Sequence, residues 1–203
     1  MARADPAQDL TVAEEDVLRA GLYDLLAALL ANPPKRELID RVAALDGDDS
    51  ALGRAIRALA RLANVTSPTA AKREFNGLFI GVARGELLPY ASYYMTGFLN
   101  EKPLAALRND MRRHGIERAP NVFEPEDNIA SLCEMMAGLI LGRFGEPMSL
   151  AGQKDFFATH IGSWVGHFFA DLEAAKGSVF YAPVGAVGAA FIEIEREAFR
   201  MGA

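Results

Sequence analysis

Apolar residues recur along most of this chain at helical spacing, and nowhere in the sustained alternation that a strand needs. Leu18, Leu22, Leu25 and Leu29 fall at i, i+4, i+7 and i+11 and predict one helix stripe. Thr11 and Glu14 read as a capping box ahead of it, and Pro33-Pro34 ends it. A second helix is expected from Pro34 to about Leu45, closed by Asp46-Gly47. A third follows Ser50, with Leu52, Ile56, Leu59 and Ala63 on one face. Ser67-Pro68 has the form of an N-cap with proline at the first helical position, opening a fourth helix that carries Phe75, Leu78 and Phe79.

The pattern breaks at Gly81. From there to about Asn100 the chain holds Gly85, Pro89 and Gly97 with aromatics between them, which predicts a long ordered loop with one helical turn in it. Such loops inside a compact domain are uncommon and often functional. Periodicity resumes at Lys102, where Leu104, Leu107 and Met111 share a face and Gly115 stands at the C-terminal cap. After a second loop, Ile116 to Phe123, Pro125 is expected to open a helix with Glu126 and Asp127 in its first turn. Ile129, Leu132, Met136 and Leu139 form its buried face. Ser149 caps a further helix striped by Phe157, Ile161, Trp164, Phe168 and Leu172, which Gly162 and Gly166 bend or let pack closely. Past Lys176-Gly177 a last helix turns Val184, Val187, Phe191 and Ile194 inward. The expectation is an all-α, single-domain helical bundle over residues 1–203, with a long ordered loop between the fourth and fifth helices and a flexible start over residues 1–10.

Composition narrows the function classes. The net charge of −6 disfavours nucleic-acid phosphates and anionic membranes as partners. The single cysteine, Cys133, cannot form an internal disulfide, and its place beside Leu132 reads as a small core residue. Met1 to Leu10 lacks the basic start and apolar run of a secretory signal, and Leu22–Ala31 is too short to span a bilayer. A cytoplasmic protein without stable membrane insertion is expected.

Catalytic chemistry finds little support. Of the three histidines, His114, His160 and His167, the last two lie about 10 Å apart along a helix axis, too far to share an ion, and Cys133 has no Cys or His at ligand spacing. No metal or cofactor is expected. Gly77, Gly81 and Gly85 recur every four residues, but the Lys-Ser/Thr of a phosphate-binding loop is missing. A nucleotide (GTP)-binding regulatory protein stays open as an alternative on those glycines, and a structural adaptor with a permanent partner as another. Glu124-Pro125-Glu126-Asp127 reads as a helix start or as a carboxylate site.

Two segments together are specific. One is Phe75-Asn76-Gly77-Leu78-Phe79, then Gly81, Gly85 and Leu87-Leu88-Pro89-Tyr90-Ala91-Ser92-Tyr93-Tyr94. The other is Glu124-Pro125-Glu126-Asp127-Asn128-Ile129-Ala130, then Leu132-Cys133-Glu134-Met135-Met136. In this order and spacing the chain resembles the TorD/DmsD/NarJ family of redox-enzyme maturation chaperones. It departs from the family pattern at Asn128, where His is usual; Asn keeps hydrogen-bonding capacity but cannot carry charge.

The resemblance implies a non-catalytic cytoplasmic chaperone. Its partner would be the catalytic subunit of a molybdenum- or tungsten-cofactor oxidoreductase, bound at the twin-arginine signal peptide and held until the cofactor is in place. The Leu-Pro-Tyr-Ala-Ser-Tyr-Tyr and Glu-Lys-Pro-Leu stretches resemble the branch associated with formate dehydrogenase, and a homodimer is within the family's range. A basic-then-apolar peptide needs an apolar groove with acids at one end. By resemblance Phe75, Leu78, Phe79, Pro89 and Tyr90 supply the apolar part, with Tyr93 beside them. Asp127 and Asn128, with Glu124 and Glu126, supply the polar end. The i, i+3, i+4 spacing of Phe75, Leu78 and Phe79 equally describes a core stripe.

Overall fold

The computed structural model describes residues 12–81, 84–120 and 122–202. Ten helices form the bundle among them: α1 Glu14–Ala31, α2 Arg36–Ala43, α3 Ala51–Ala63, α4 Pro68–Phe75, α5 Ala91–Thr96, α6 Lys102–Arg113, α7 Ile129–Leu141, α8 Leu150–His160, α9 Val165–Ala174 and α10 Tyr181–Met201. A π-helical turn, Asn76–Ile80, extends α4. No strand occurs among the described residues; Tyr90 and Asn128 form an isolated antiparallel bridge. The all-helical bundle and its long break after α4 are as expected. The break runs from Gly81 to Glu101, and the anticipated helical turn within it is α5.

α7 is the central element. Of its thirteen residues only Ser131, Glu134 and Leu141 escape full burial, and Cys133 is wholly inside. Such a helix holds its place by packing on every side. α1 lies along it, α10 packs against both α9 and α3, and α8 follows α7 through a short turn.

Several local expectations hold. The Ser67 hydroxyl accepts from the Ala70 N–H with Pro68 behind it, and Ser50 and Ser149 cap α3 and α8 in the same way. α6 closes at His114–Gly115, with the Ile116 N–H on the Met111 carbonyl.

Others are corrected. α1 starts at Glu14 with Ala13 as its N-cap and no side-chain cap bond, so Glu14 is its first residue and not the third; Thr11 lies outside the described residues. Its buried face is Ala20, Tyr23, Leu26, Ala27 and Leu30, together with Leu29. Leu22 and Leu25 are half-buried and Leu18 is 65% exposed. α1 carries two interleaved apolar stripes, and the one whose alanines permit close approach meets α7. The other walls an open apolar groove with Leu38 and Ile56.

The second-loop helix begins at Ile129, not Pro125: the Asn128 N–H bonds the Pro125 carbonyl in a tight turn, which leaves Glu126 and Asp127 outside the helix. The stripe from Phe157 to Leu172 is buried as expected, but it spans two helices that break at Ile161–Trp164. On α10, Val184, Val187 and Phe191 point inward while Ile194 is half-exposed. Glu195 takes the buried position instead, accepting from Arg19 Nε at 2.7 Å and from the Tyr23 hydroxyl at 3.0 Å. Two partners on α1 satisfy a carboxylate that could not otherwise be buried.

Candidate functional site

The two specific segments lie some forty positions apart and are stitched together by main-chain bonds. The Ala91 N–H donates to the Asp127 carbonyl at 3.0 Å, and the Ile129 N–H to the Pro89 carbonyl at 2.9 Å. These flank the Tyr90–Asn128 bridge. Side chains complete the joint. Asp127 Oδ2 accepts from the Ser92 N–H at 2.8 Å, capping the start of α5 from outside that helix, and Asp127 is 1% exposed. Asn128 is the N-cap of α7, its Oδ1 accepting from the Ala130 N–H at 2.9 Å. Asn is among the best residues for that position, which accounts physically for Asn128 here.

The loop before the bridge is shaped by two glycines. Gly81 closes the π-helical turn at φ +63°, a conformation that glycine adopts freely. Gly85 is buried, and a Cβ there would fall 2.5 Å from the Phe79 carbonyl carbon. Both glycines are thus accounted for by the loop's close return across Leu78 and Phe79.

Beside this joint is a cleft of about 550 Å³. Phe75, Phe79, Pro89 and Tyr90 wall it from the first segment, and Glu124 and Asn128 from the second. Pro33 at the end of α1, Val122 and Phe123 of the second loop, and Ser131 and Glu134 of α7 complete it. Phe75 and Phe79 stack edge-on at 4.9 Å, with Tyr181 behind them, so the aromatic wall is held from the core side. Phe123 is 87% exposed at the rim.

Six of the ten residues that the resemblance nominates therefore line one cleft, and four do not. Leu78 is fully buried in the core. Tyr93 lies on α5 beneath the Arg84 guanidinium, 5.7 Å from ring centroid to carbon. Asp127 faces α5, as described. Glu126 is buried and engaged: Arg108 holds its Oε2 through Nε at 3.0 Å and Nη2 at 2.8 Å, and Arg118 stands 3.7 Å from Oε1. Burial alone would raise the Glu126 pKa, but the Arg108 hydrogen bond and charge outweigh it and hold the carboxyl below its usual range.

The cleft's electrostatics rest on Glu124 and Glu134. Neither has a cationic partner among the described residues, and none of the lining side chains is basic. The Glu124 carboxylate accepts from the Tyr90 hydroxyl. Partial burial raises the pKa of both carboxyls, and at Glu134 the negative charge of Asp24 adds to it while Arg143 opposes. Arg143 is itself taken by Asp24, at 2.8 and 2.5 Å. Glu134 received no role in the sequence reading, yet a signal existed: it is the one charged residue in the apolar run Ile129–Leu141. Phe123, Val122 and Pro33 gave no such signal, because loop conformation alone brings them to the cleft.

Among the described residues no three His, Cys, Asp or Glu side chains group as metal ligands, and no helix is long and apolar enough to cross a membrane. His160 is 4% exposed and bonds Asp110 through Nε2 at 2.7 Å.

Known proteins resemble this chain in sequence and in fold. A family model described as nitrate reductase delta subunit matches residues 45–170. The chain is 30% identical over 130 residues to the chaperone protein TorD of Vibrio cholerae serotype O1 strain O395, covering 61% of this chain and 59% of that protein's length. It is 26% identical over 201 residues to the chaperone protein TorD of Vibrio atlanticus, covering 88% and 93%. A solved structure described as a candidate redox enzyme maturation protein from Archaeoglobus fulgidus superimposes with a TM-score of 0.60 over 92% of this chain and 99% of that one, at 20% identity. That likeness speaks for the fold.

Proposed function

The chain belongs to the TorD/NarJ-like family of redox-enzyme maturation chaperones, and from that premise we propose that its cleft binds the basic-then-apolar leader of a client enzyme. One observation carries this reading. The two segments that mark the family converge on a single cleft with an aromatic wall and, among the described residues, two carboxylates free of cation partners and no basic lining side chain. Apolar side chains of a peptide gain by leaving water against Phe75, Phe79 and Pro89. Its arginines gain charge-assisted bonds at the acidic end. The cleft holds a segment of a few residues, as a leader requires and a broad flat adaptor interface does not.

In this reading the protein is a non-catalytic cytoplasmic chaperone, and residues 1–203 act as one domain. The client is the catalytic subunit of a molybdenum- or tungsten-cofactor oxidoreductase, with formate dehydrogenase the first to test. Asp127 and Asn128 serve by positioning the joint between α5 and α7, and Phe75, Phe79, Pro89, Tyr90 and Glu124 by contact. The nucleotide reading gains nothing from Gly81 and Gly85, whose places follow from the loop's own packing.

Calorimetric titration with a synthetic leader peptide of the client tests this. Phe79→Ala and Tyr90→Ala are each expected to weaken binding by about ten-fold or more, near 1.4 kcal/mol, with the fold retained by circular dichroism. Absence of binding by the wild-type protein, or equal affinity in both folded variants, refutes the assignment of the cleft.

A further inference from the structure

The turn that opens α10 is held by carboxylates from outside it. Glu74, on the last turn of α4 and next to Phe75, accepts three main-chain N–H groups. Val179 at 2.7 Å and Tyr181 at 2.8 Å donate to its Oε1, and Phe180 at 3.1 Å to its Oε2. Glu86 accepts two more from the same link, Lys176 at 2.9 Å and Gly177 at 3.3 Å. The two acids bracket the aromatic part of the first family segment: one directly precedes Phe75, the other directly follows Gly85. First-turn N–H groups have no acceptor within their own helix, and a carboxylate there also meets the positive end of the helix dipole.

The consequence for the cleft runs through Tyr181, the first residue of α10. Its N–H is one of the three on Glu74, and its hydroxyl donates to the Leu29 carbonyl of α1 at 3.0 Å. Its ring stands edge-on to Phe79 at 5.6 Å and tilted against Phe75 at 6.0 Å. Tyr181 is fully buried, whereas Phe79 is half-buried and walls the cleft. Glu74 itself does not line the cleft.

We infer that Glu74 is a positioning residue for peptide binding: by fixing the first turn of α10 it fixes Tyr181, and Tyr181 sets the orientation of the Phe75–Phe79 wall that the peptide's apolar run meets. The inference rests on the peptide-binding reading of the cleft and deepens it. Side chains that must be ordered at the moment of binding subtract from affinity, and side chains already in place do not. Tyr181 is tied at its main chain by Glu74 and at its hydroxyl by α1, so its ring presents one surface to Phe79. A carboxylate suits the task because its two oxygens serve all three donors, whereas a glutamine amide offers one acceptor oxygen.

The test is a double-mutant cycle on peptide affinity, read by fluorescence anisotropy on variants shown to be folded by circular dichroism. The probe is a labelled synthetic peptide with an arginine pair followed by an apolar run. Glu74→Ala is expected to weaken binding about five-fold or more. In a Phe79→Ala background, where no ring remains to be oriented, the same substitution should change affinity by less than about two-fold. Glu74→Gln should stand between, with a loss of about three-fold that also vanishes in Phe79→Ala. A general loss of stability moves both backgrounds alike and is thereby separated from positioning. Should Glu74→Ala not fold, the Glu74→Gln cycle decides. If the Glu74 variants bind as wild type does, or lose affinity equally with and without the Phe79 ring, the positioning role is overturned and the peptide-binding cleft stands. If wild type does not bind the peptide, the cleft assignment fails and the positioning role falls with it.

Discussion

Replacing Asp127 with alanine tests how the joint between the two segments is built. The side chain accepts one hydrogen bond, from the Ser92 N–H at 2.8 Å, and both residues are buried at 1% and 0% exposure. That N–H belongs to the first turn of α5, where no intrahelical acceptor exists. A hydrogen bond to a charged group contributes about 1.5–3 kcal/mol, and its loss leaves a buried donor unpaired. The main-chain bonds Ala91–Asp127 and Ile129–Pro89 are unaffected by the substitution, so the joint weakens without coming apart. The expected net cost is about 2 kcal/mol, and about half that for Asp127→Asn, whose amide oxygen still accepts. With a urea m-value of about 2–3 kcal/mol/M, Asp127→Ala should lower the unfolding midpoint by about 0.7–1 M. Far-UV circular dichroism against urea measures this, and the leader peptide is titrated into the Asn variant. Binding within about two-fold of wild type is expected, because Asp127 positions the cleft without lining it. An Ala variant with an unshifted midpoint refutes the capping argument. A stable Asn variant that has lost the peptide refutes the positioning role and puts the carboxylate in contact with the ligand.

Two further outcomes follow from buried charge. Glu195→Ala strands Arg19 and the Tyr23 hydroxyl and should cost about 3–5 kcal/mol in urea unfolding, whereas Arg19→Met with Glu195→Leu should recover much of it; a single-variant loss under about 1 kcal/mol sinks this reading. Burial holds the His160 pKa below its ordinary 6.5, with the Asp110 carboxylate opposing and His114 adding to the depression. The unfolded chain therefore takes up this proton more readily than the fold does. Stability should fall as pH drops below about 6.5, with a slope of up to about 1.4 kcal/mol per pH unit from this group. His160→Asn should flatten that stretch of the stability–pH curve; an unchanged slope would exclude His160 as its source.

Sequence periodicity delivered the helices more reliably than their faces. Ser67-Pro68 announced α4 because an N-cap is a local arrangement, complete within a few residues. Leu18 misled because a leucine- and alanine-rich helix offers several stripes, and which one is buried depends on α7, more than a hundred positions away. The exchange of Ile194 for Glu195 on α10 has the same origin, since only Arg19 and Tyr23 make a buried carboxylate tolerable there. Pro125 signalled a helix start but marks a turn before one, and Asn128 is the residue that caps. For the cleft, resemblance supplied Phe75, Phe79, Pro89, Tyr90, Glu124 and Asn128. Phe123 required the fold, because it reaches the cleft from a loop, whereas Glu134 stood out as the lone charge of an apolar helix and needed the fold only to place it in the cleft.

The main-chain joint has a bearing on how this molecule could be re-engineered. The chain leaves the joint at Ala91 and comes back to it at Asp127, bonded to its own point of departure. Everything between, α5 with α6 and the loop after it, is an excursion whose two ends coincide. A cassette with such ends can be exchanged for its counterpart from a relative without altering the span that the rest of the chain must bridge. Swapping it would transplant Glu124 and Phe123 while leaving Glu134, Phe75 and Phe79 in place, and so separate the contributions of the two cleft walls to client choice.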